Sequence, residues 1–271
     1  MTGDAAVVVI TGASGGIGAA IARQLGREGK RLVLAARREP ELRSIAAEAE
    51  SLGSGGALAV PADVTQRKDV DGLRDAAISA YGRIDVWINN AGRGITRPVL
   101  DLTDDDVDDM ISVNVKSALY GMQAAIPHFI ERKSGHLINM SSFLGRVPVA
   151  AYRSAYSASK AALNSLTANL RMDLRTPYPN IHVSLVMPGI VTTDFARNAT
   201  TSARSAAGGA FPRPTAGPMQ PQTPEEIAER VAELIRNPMA EIYTSPASAQ
   251  LAREYYADVG AFEERLAKRS S

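Results

Sequence analysis

The sequence predicts a single α/β domain, a doubly wound parallel sheet of about seven strands with helices on both faces. Three observations carry this reading. Seven short Val/Ile/Leu-rich runs alternate with longer Ala-rich segments of helical period, the pattern of strand–helix–strand units. Most of the runs are continuously apolar, as in strands buried on both faces. The first run ends in a glycine-rich turn that opens a helix, and right-handed crossovers then leave the doubly wound topology. A chain of 271 residues buries a full core in one such domain without covalent staples.

Composition narrows the chemistry. The chain has no cysteine, which excludes disulfides, iron–sulfur clusters, thiolate zinc sites and a cysteine nucleophile. Its three histidines, His128, His136 and His182, are too scattered for a histidine metal site, so no metal is expected. Thirty basic against 29 acidic residues give a net charge of +1, which gives no support to a nucleic-acid partner. No apolar run approaches the roughly 18 residues of a membrane span. The start, MTGDAAVVVITG, has no Lys or Arg before its apolar stretch, unlike a signal peptide. A soluble, cytoplasmic protein is expected.

Taken in order, the run 5–11 ends in Thr11-Gly12-Ala13-Ser14-Gly15-Gly16-Ile17-Gly18, and a helix follows over 15–29. Glycines permit positive φ and close approach of backbone to a ligand. The helix start presents unpaired N–H groups and the positive end of its dipole. Strand, turn and helix in the first unit therefore suit a pyrophosphate, in a Rossmann-like arrangement. The second run, 31–36, leads into Arg37 and Arg38. Beyond it come a helix at 39–52, a run at 57–62 before Asp63-Val64, and a helix at 66–81. The run 83–90, with Trp87 as core, closes in Asn89-Asn90-Ala91-Gly92.

The segment 103–131 reads as one helix whose inward stripe is Val107, Ile111, Asn114, Ala118, Met122, Ile126 and Phe129. Asn114 interrupts an apolar face, so its amide needs partners from backbone or an ordered water. A satisfied helix-interior asparagine is the alternative. The acids at 101–109 lack the glycine and terminal glutamate of a calcium loop. They complement the helix dipole instead, with Thr103 as N-cap. After the run 135–142, a helix at 153–176 carries Tyr156-Ser157-Ala158-Ser159-Lys160. Tyr156 and Lys160 share a face, and that stripe continues through Leu163, Thr167, Leu170 and Leu174. An ammonium on an inward edge needs a function or a partner. Beside a phenol it favours the phenolate, drawing the tyrosine down from ~10 toward neutrality, where it can exchange a proton with a carbonyl or alcohol oxygen. A snorkelling lysine beside a core tyrosine is the other reading. A run at 181–188, a helix at 223–236 and a last run at 241–244 complete the pattern.

The spacing Thr11-Gly12-x3-Gly16-x-Gly18 and the Tyr156-x3-Lys160 pair resemble the signatures of the classical short-chain dehydrogenase/reductase (SDR) family. Matching motifs span residues 11 to 193 in family order. The resemblance implies that Gly12, Ser14, Gly15, Gly16, Ile17 and Gly18 hold the cofactor pyrophosphate end. It implies that Asp63 and Val64 meet the adenine, and that Asn90, Ala91 and Gly92 line the cofactor; for Asn89 a structural role stands beside this. At the end of the second strand an acid would accept from the ribose hydroxyls of NAD. Arg37 instead offers a fork for a 2′-phosphate, with Arg38 beside it, so NADP(H) is expected; a merely solvated pair of arginines is the alternative. Ser142, followed three residues on by Gly145, matches the family's catalytic serine, although the interval to Tyr156 is one residue longer than usual and Ser141 stays a candidate. Asn114, within Val113-Asn114-Val115-Lys116-Ser117, matches the asparagine that holds a proton-relay water. Pro188, Gly189, Ile190 and Thr193 match the strand end that passes the nicotinamide, Thr192 competing with Thr193. The implied catalytic set is Asn114, Ser142, Tyr156 and Lys160. The implied activity is interconversion of a carbonyl and an alcohol, with Tyr156 as acid/base and Lys160 both tuning it and holding the cofactor ribose. A non-catalytic NADP(H)-binding regulator on the same fold is the alternative; epimerase and dehydratase relatives generally differ in glycine spacing and have longer C-terminal regions.

Residues 1–245 thus form the catalytic domain, with a structureless substrate lid at about 195–224. That lid carries Arg197, Arg204 and Arg213 but no acid; Phe143, Phe195, Phe211 and Met219 favour a hydrophobic carbonyl or alcohol. Residues 246–271 read as one amphipathic helical tail along Leu251, Tyr255, Val259, Phe262 and Leu266. Its mixed charge does not suit a membrane, and a contact in a homodimer or homotetramer is the expectation.

Overall fold

The structure, a computed structural model, describes residues 5–150, 152–192, 200–201 and 220–270. Seven parallel strands form one sheet: β1 (Val7–Thr11), β2 (Arg31–Ala36), β3 (Ala57–Pro61), β4 (Val86–Asn89), β6 (Gly135–Met140), β7 (Ile181–Met187) and β9 (Glu241–Tyr243). Their order is β3-β2-β1-β4-β6-β7-β9. The order reverses direction between β1 and β4, the point where doubly wound sheets place ligands.

The apolar runs are continuous because both faces are covered. Val8, Ile10, Leu32, Leu34, Ile88 and Ile138 pack under α1 (Gly16–Arg27), α2 (Glu39–Ser51) and α7 (Pro224–Arg236). The alternate residues Val7, Val9, Val33, Trp87 and Leu137 pack under α3 (Arg67–Tyr81), α5 (Ser117–Arg132) and α6 (Ser154–Arg175). Successive strand residues face opposite ways, so an unbroken Val-Val-Val-Ile run supplies both cores.

Two expectations change. The helix expected at 103–131 is α4 (Asp104–Ile111), a π turn (Ser112–Lys116) and α5. A π turn holds one residue more than an α turn, so the inward stripe slips by one: Met110 is buried where Ile111 was expected, and Val107 is exposed. Thr103 caps α4 as expected, in a capping box with Asp106, and no group of acids or histidines among the described residues is arranged for a metal. The tail is two helices, α8 (Pro246–Ala257) and α9 (Val259–Ser270), broken where Asp258 turns extended. Leu251, Tyr255 and Phe262 pack on Phe143, Val147, Val149 and Tyr243 of the same chain, while Val259 and Leu266 face outward. The expected lid falls mostly outside the described residues. Of it, β8 (Thr200–Thr201) pairs with β5 (Ile95–Thr96), and Thr223 caps α7. No helix among the described residues is long and apolar enough to cross a membrane.

Candidate active site

The C-terminal ends of β1, β4, β6 and β7 converge on one cleft. At β1, Gly12 adopts φ +68°, open to glycine but strained for other residues. A Cβ on Gly18 would lie 2.4 Å from the Gly12 carbonyl and 2.6 Å from Asn90 Nδ2. Asn90 donates to the carbonyls of Thr11 at 2.9 Å and Gly12 at 3.3 Å, and its N–H bonds to Thr11 Oγ1 at 3.0 Å. The turn after β4 is thereby stitched to the glycine turn. No side chain caps α1, so its first-turn N–H groups stay open to an anion. These are the features of a phosphate cradle, and the expected residues fit it.

At the end of β2 the two arginines separate. Arg38 Nη2 donates to Ser14, both to its carbonyl and to its Oγ, at 3.2 Å each. Arg37 is exposed and makes no such contact. Arg38 is thus held against Ser14 at the edge of the cradle, while the Arg37 side chain stays exposed beside it. Asp63 directs Oδ1 to the Thr65 N–H and hydroxyl, at 3.0 and 2.8 Å, and Val64 packs against the core beside it. Asn89 takes its structural reading. Its Oδ1 accepts from Trp87 Nε1 at 2.8 Å, and its Nδ2 donates to Asn139 Oδ1 at 2.8 Å and to the Ala118 carbonyl at 3.2 Å.

The serines past β6 divide their tasks. Ser141 turns inward and bonds to Asn164. Ser142 accepts from the Leu144 N–H at 3.2 Å and stands near enough to the Tyr156 hydroxyl to act on its titration. Of the two, Ser142 is the one beside the Tyr156 hydroxyl. Lys160 is buried, donates from Nζ to the Met140 carbonyl at 2.9 Å, and stands 5.9 Å from the centre of the Tyr156 ring. Burial lowers its pKa to about 8.

Tyr156 departs from expectation. Burial pushes its phenol above the ordinary value, and neither nearby Ser142 nor the Arg153 charge, which pull the other way, overcomes it. The protein alone does not render the phenol acidic, because desolvation disfavours the phenolate.

Asn114 lies in the π turn and is buried. Its Nδ2 donates to the Arg93 carbonyl at 2.9 Å and to Ser159 Oγ at 3.1 Å, and its Oδ1 accepts from the Arg93 N–H at 3.0 Å. The side-chain amide is thus satisfied by protein groups. Its position remains within the site: a Cβ on Gly92 would meet Asn114 Oδ1 at 3.0 Å and Lys160 Nζ at 3.5 Å.

Past β7, the Pro188 carbonyl accepts from the Phe143 N–H at 2.8 Å, holding this turn to the Ser142 loop, and Gly189 follows at the cleft. The Ile190 carbonyl accepts from Gln222, and the Thr192 N–H and hydroxyl donate to the Gln222 carbonyl. Thr192 is thereby committed to the fold; Thr193 lies outside the described residues. Sequence reasoning missed Ser159 and Asn164. Ser159 braces Asn114, and Asn164 donates to the Gly145 carbonyl at 2.9 Å. A Cβ on Gly145 would strike Lys160 backbone at 2.7 Å, so the glycine three residues past Ser142 lets this turn lie against α6. An open groove of about 670 Å³ runs along the other face of α6, by Val107, Ile111 and Ala158, and none of the four catalytic candidates lines it.

This geometry agrees with what the chain matches. A model of the short chain dehydrogenase family covers residues 6–204. The chain belongs to the short-chain dehydrogenase family. Among relatives of this dehydrogenase, an uncharacterized oxidoreductase of Staphylococcus aureus strain N315 is 39% identical over 187 residues, 69% of this chain and 78% of that one. Among solved structures, a short-chain dehydrogenase/reductase from Burkholderia phymatum in complex with NAD superposes with a TM-score of 0.83 at 27% identity, covering 95% of each chain. A metagenomic short-chain oxidoreductase in complex with NADP gives 0.70 at 33% identity, over 88% of this chain and 95% of that one. The dehydrogenase's matched span runs from the start of the sheet into the lid, and α7, β9 and the tail lie beyond it.

Proposed function

We propose that this dehydrogenase uses NADP(H) to interconvert a ketone or aldehyde and the corresponding alcohol. The observation that carries the reading is buried Lys160, held on the Met140 carbonyl with its amine 5.9 Å from the Tyr156 ring, and Ser142 near the same hydroxyl, at the strand ends that face the phosphate cradle. When bound, a nicotinamide accepts or supplies the hydride. Ser142 hydrogen-bonds the substrate oxygen beside Tyr156. Tyr156 gives its proton to that oxygen in reduction and takes it in oxidation. Its raised pKa keeps it protonated in the free protein, the state that reduction needs. Lys160 holds the ribose from its anchor on Met140 and, while charged, favours the phenolate once the proton has left. Asn114 keeps the Arg93 backbone and Ser159 in place beside the amine.

For NADP(H), the support is Arg38 on Ser14 and the absence of an acid at Arg37 and Arg38; the solved neighbours include complexes with NAD and with NADP. The partner in this reading is a small, apolar-bodied carbonyl or alcohol. The assembly is a homodimer or homotetramer, for which the exposed Val99, Leu100 and Val107 are the support.

One protein preparation tests both halves. Tyr156→Phe should retain NADPH binding within about threefold and lose turnover by ~10³-fold or more across a ketone and alcohol panel; substantial remaining turnover defeats the mechanism. Wild type that binds NADPH but turns over nothing in either direction returns the regulator reading. Arg38→Asp should raise the NADPH Michaelis constant by ~10-fold or more and leave NADH less affected. Equal effects on the two cofactors would remove the NADP assignment.

A further inference from the structure

Three arginines stand on the β5 side of the active site, and two of them are neutralised. Arg93, just past the Asn89–Gly92 turn, pairs with Asp109, and Arg97, just past β5, pairs with Asp106. The third, Arg153, sits at the N-cap position of α6, one turn before Tyr156. Among the described residues no carboxylate lies within ion-pair distance of it. Its Nη1 donates to the Ile95 carbonyl across a long 3.4 Å, and its guanidinium carbon stands 5.9 Å from the Tyr152 ring. Its side chain is only half-buried, so the remaining N–H donors can reach a ligand.

The surroundings fix where that ligand would lie. A backbone bridge joins Arg153 to Arg97, and Ile95 packs with Met110, Ala155 and Tyr156 in one apolar cluster, Leu144 beside it. The guanidinium is close enough for its charge to act on the Tyr156 hydroxyl. The anion cradle for cofactor phosphates is at the other side, over β1. A guanidinium with no carboxylate partner among the described residues, this close to the Tyr156 hydroxyl, lies nearer the reacting end of a substrate than the adenosine end of a dinucleotide.

We propose that Arg153 is a specificity-determining residue that binds a carboxylate on the substrate, so that the preferred substrates are oxo acids or hydroxy acids with an apolar body against Ile95 and Leu144. The inference rests on the reductase reading for its substrate and adds to it the anionic group. Guanidinium matches carboxylate with two parallel N–H···O bonds. The chemistry of the reaction is unchanged; the carboxylate stays intact and only orients the carbonyl toward Ser142 and Tyr156.

The test pairs oxo acids with neutral ketones of similar length: acetoacetate with acetone, and levulinate with methyl propyl ketone, on the full chain with NADPH. Wild type should show kcat/KM for at least one oxo acid about 10-fold or more above its neutral partner, chiefly through KM. Arg153→Gln should remove that ratio, and Arg153→Lys, which keeps the charge, should restore part of it. A second arm does not need turnover. Butyrate and hexanoate, and their amides, are titrated into NADPH-loaded protein by calorimetry. The carboxylates should bind wild type, and about 10-fold more weakly to Arg153→Gln, with the amides weak throughout. Equal kcat/KM for charged and neutral partners, a fall of both by the same factor in Arg153→Gln, or equal binding of acid and amide would overturn the proposal. If neither ketones nor oxo acids turn over, the reductase reading fails, and the titration still decides the carboxylate site.

Discussion

Lys160 carries the sharpest conflict between stability and use. Its amine is fully buried with one backbone acceptor, and burial lowers its pKa from 10.5 to about 8. Below about pH 8 the folded and unfolded chains both hold the proton, and the folded one bears the whole desolvation penalty. Between about pH 8 and 10.5 the unfolded chain holds a proton that the folded chain has released, so stability rises with pH across that window. A shift of this size corresponds to ~3 kcal/mol. Lys160→Met removes the titrating group, so the stability of the variant relative to wild type should fall by about that amount between pH 7 and pH 11 in urea melts, and its turnover should be lost. A stability difference independent of pH would mean that the amine is hydrated. The identities of Tyr156 and Lys160 were legible from their four-residue spacing; the direction of the tyrosine shift was not, because it depends on how completely the fold strips water from the ring. Neighbouring candidates were likewise unresolved in one dimension. Ser141 against Ser142, and Arg37 against Arg38, differ only in which way adjacent side chains point.

At the scale of elements, a buried polar seam joins the sheet to its helices. Trp87 donates to Asn89, Asn89 to Asn139, Asn139 to Thr167 at 2.9 Å, and Thr167 to the Leu163 carbonyl at 2.6 Å. It links β4, β6 and α6, and Asn89 also donates to α5 through Ala118. Satisfied networks of this kind specify one packing arrangement. Gly121 lets α5 approach: a Cβ there would lie 2.0 Å from Asn89 Oδ1 and 2.6 Å from Trp87 Nε1. Gly121→Ala should destabilise the protein by about 1–3 kcal/mol and shift the emission of Trp87, the sole tryptophan. Unaltered emission and stability would show that α5 packs otherwise. Strand and helix positions were legible to within a few residues, since period and continuous apolarity respond to burial. The π turn was not, because it inserts a residue without interrupting the apolar stripe; the slip shows only in Met110 and Val107. The break at Asp258 was hidden for the same reason, with Val259 and Leu266 continuing the helical spacing across it.

On the whole molecule, the tail is tied to the site through one loop. Phe262, Leu251 and Tyr255 lie on Phe143, Val147 and Val149, and Phe143 directly follows Ser142. Arg146, in the same loop, pairs with Glu241 at 2.6 Å, and its carbonyl accepts from Tyr256 at 3.0 Å. The tail thus covers its own domain, and the loop that aims Ser142 is held between α6 on one side and α8 and α9 on the other. Deleting residues 246–271 uncovers three large apolar side chains of the domain, Phe143, Val147 and Val149. A net loss of about 3 kcal/mol is expected, or a Tm lower by roughly 6–12 °C. Turnover should fall more than NADPH affinity, because the phosphate cradle over β1 does not depend on this loop. Thermal melts, NADPH titration and sedimentation of the truncated chain check these outcomes together. A normal Tm and kcat would show the tail to be dispensable to the domain. An unchanged assembly mass would place the subunit contact elsewhere, with the exposed Val99, Leu100 and Val107 as the next surface to alter.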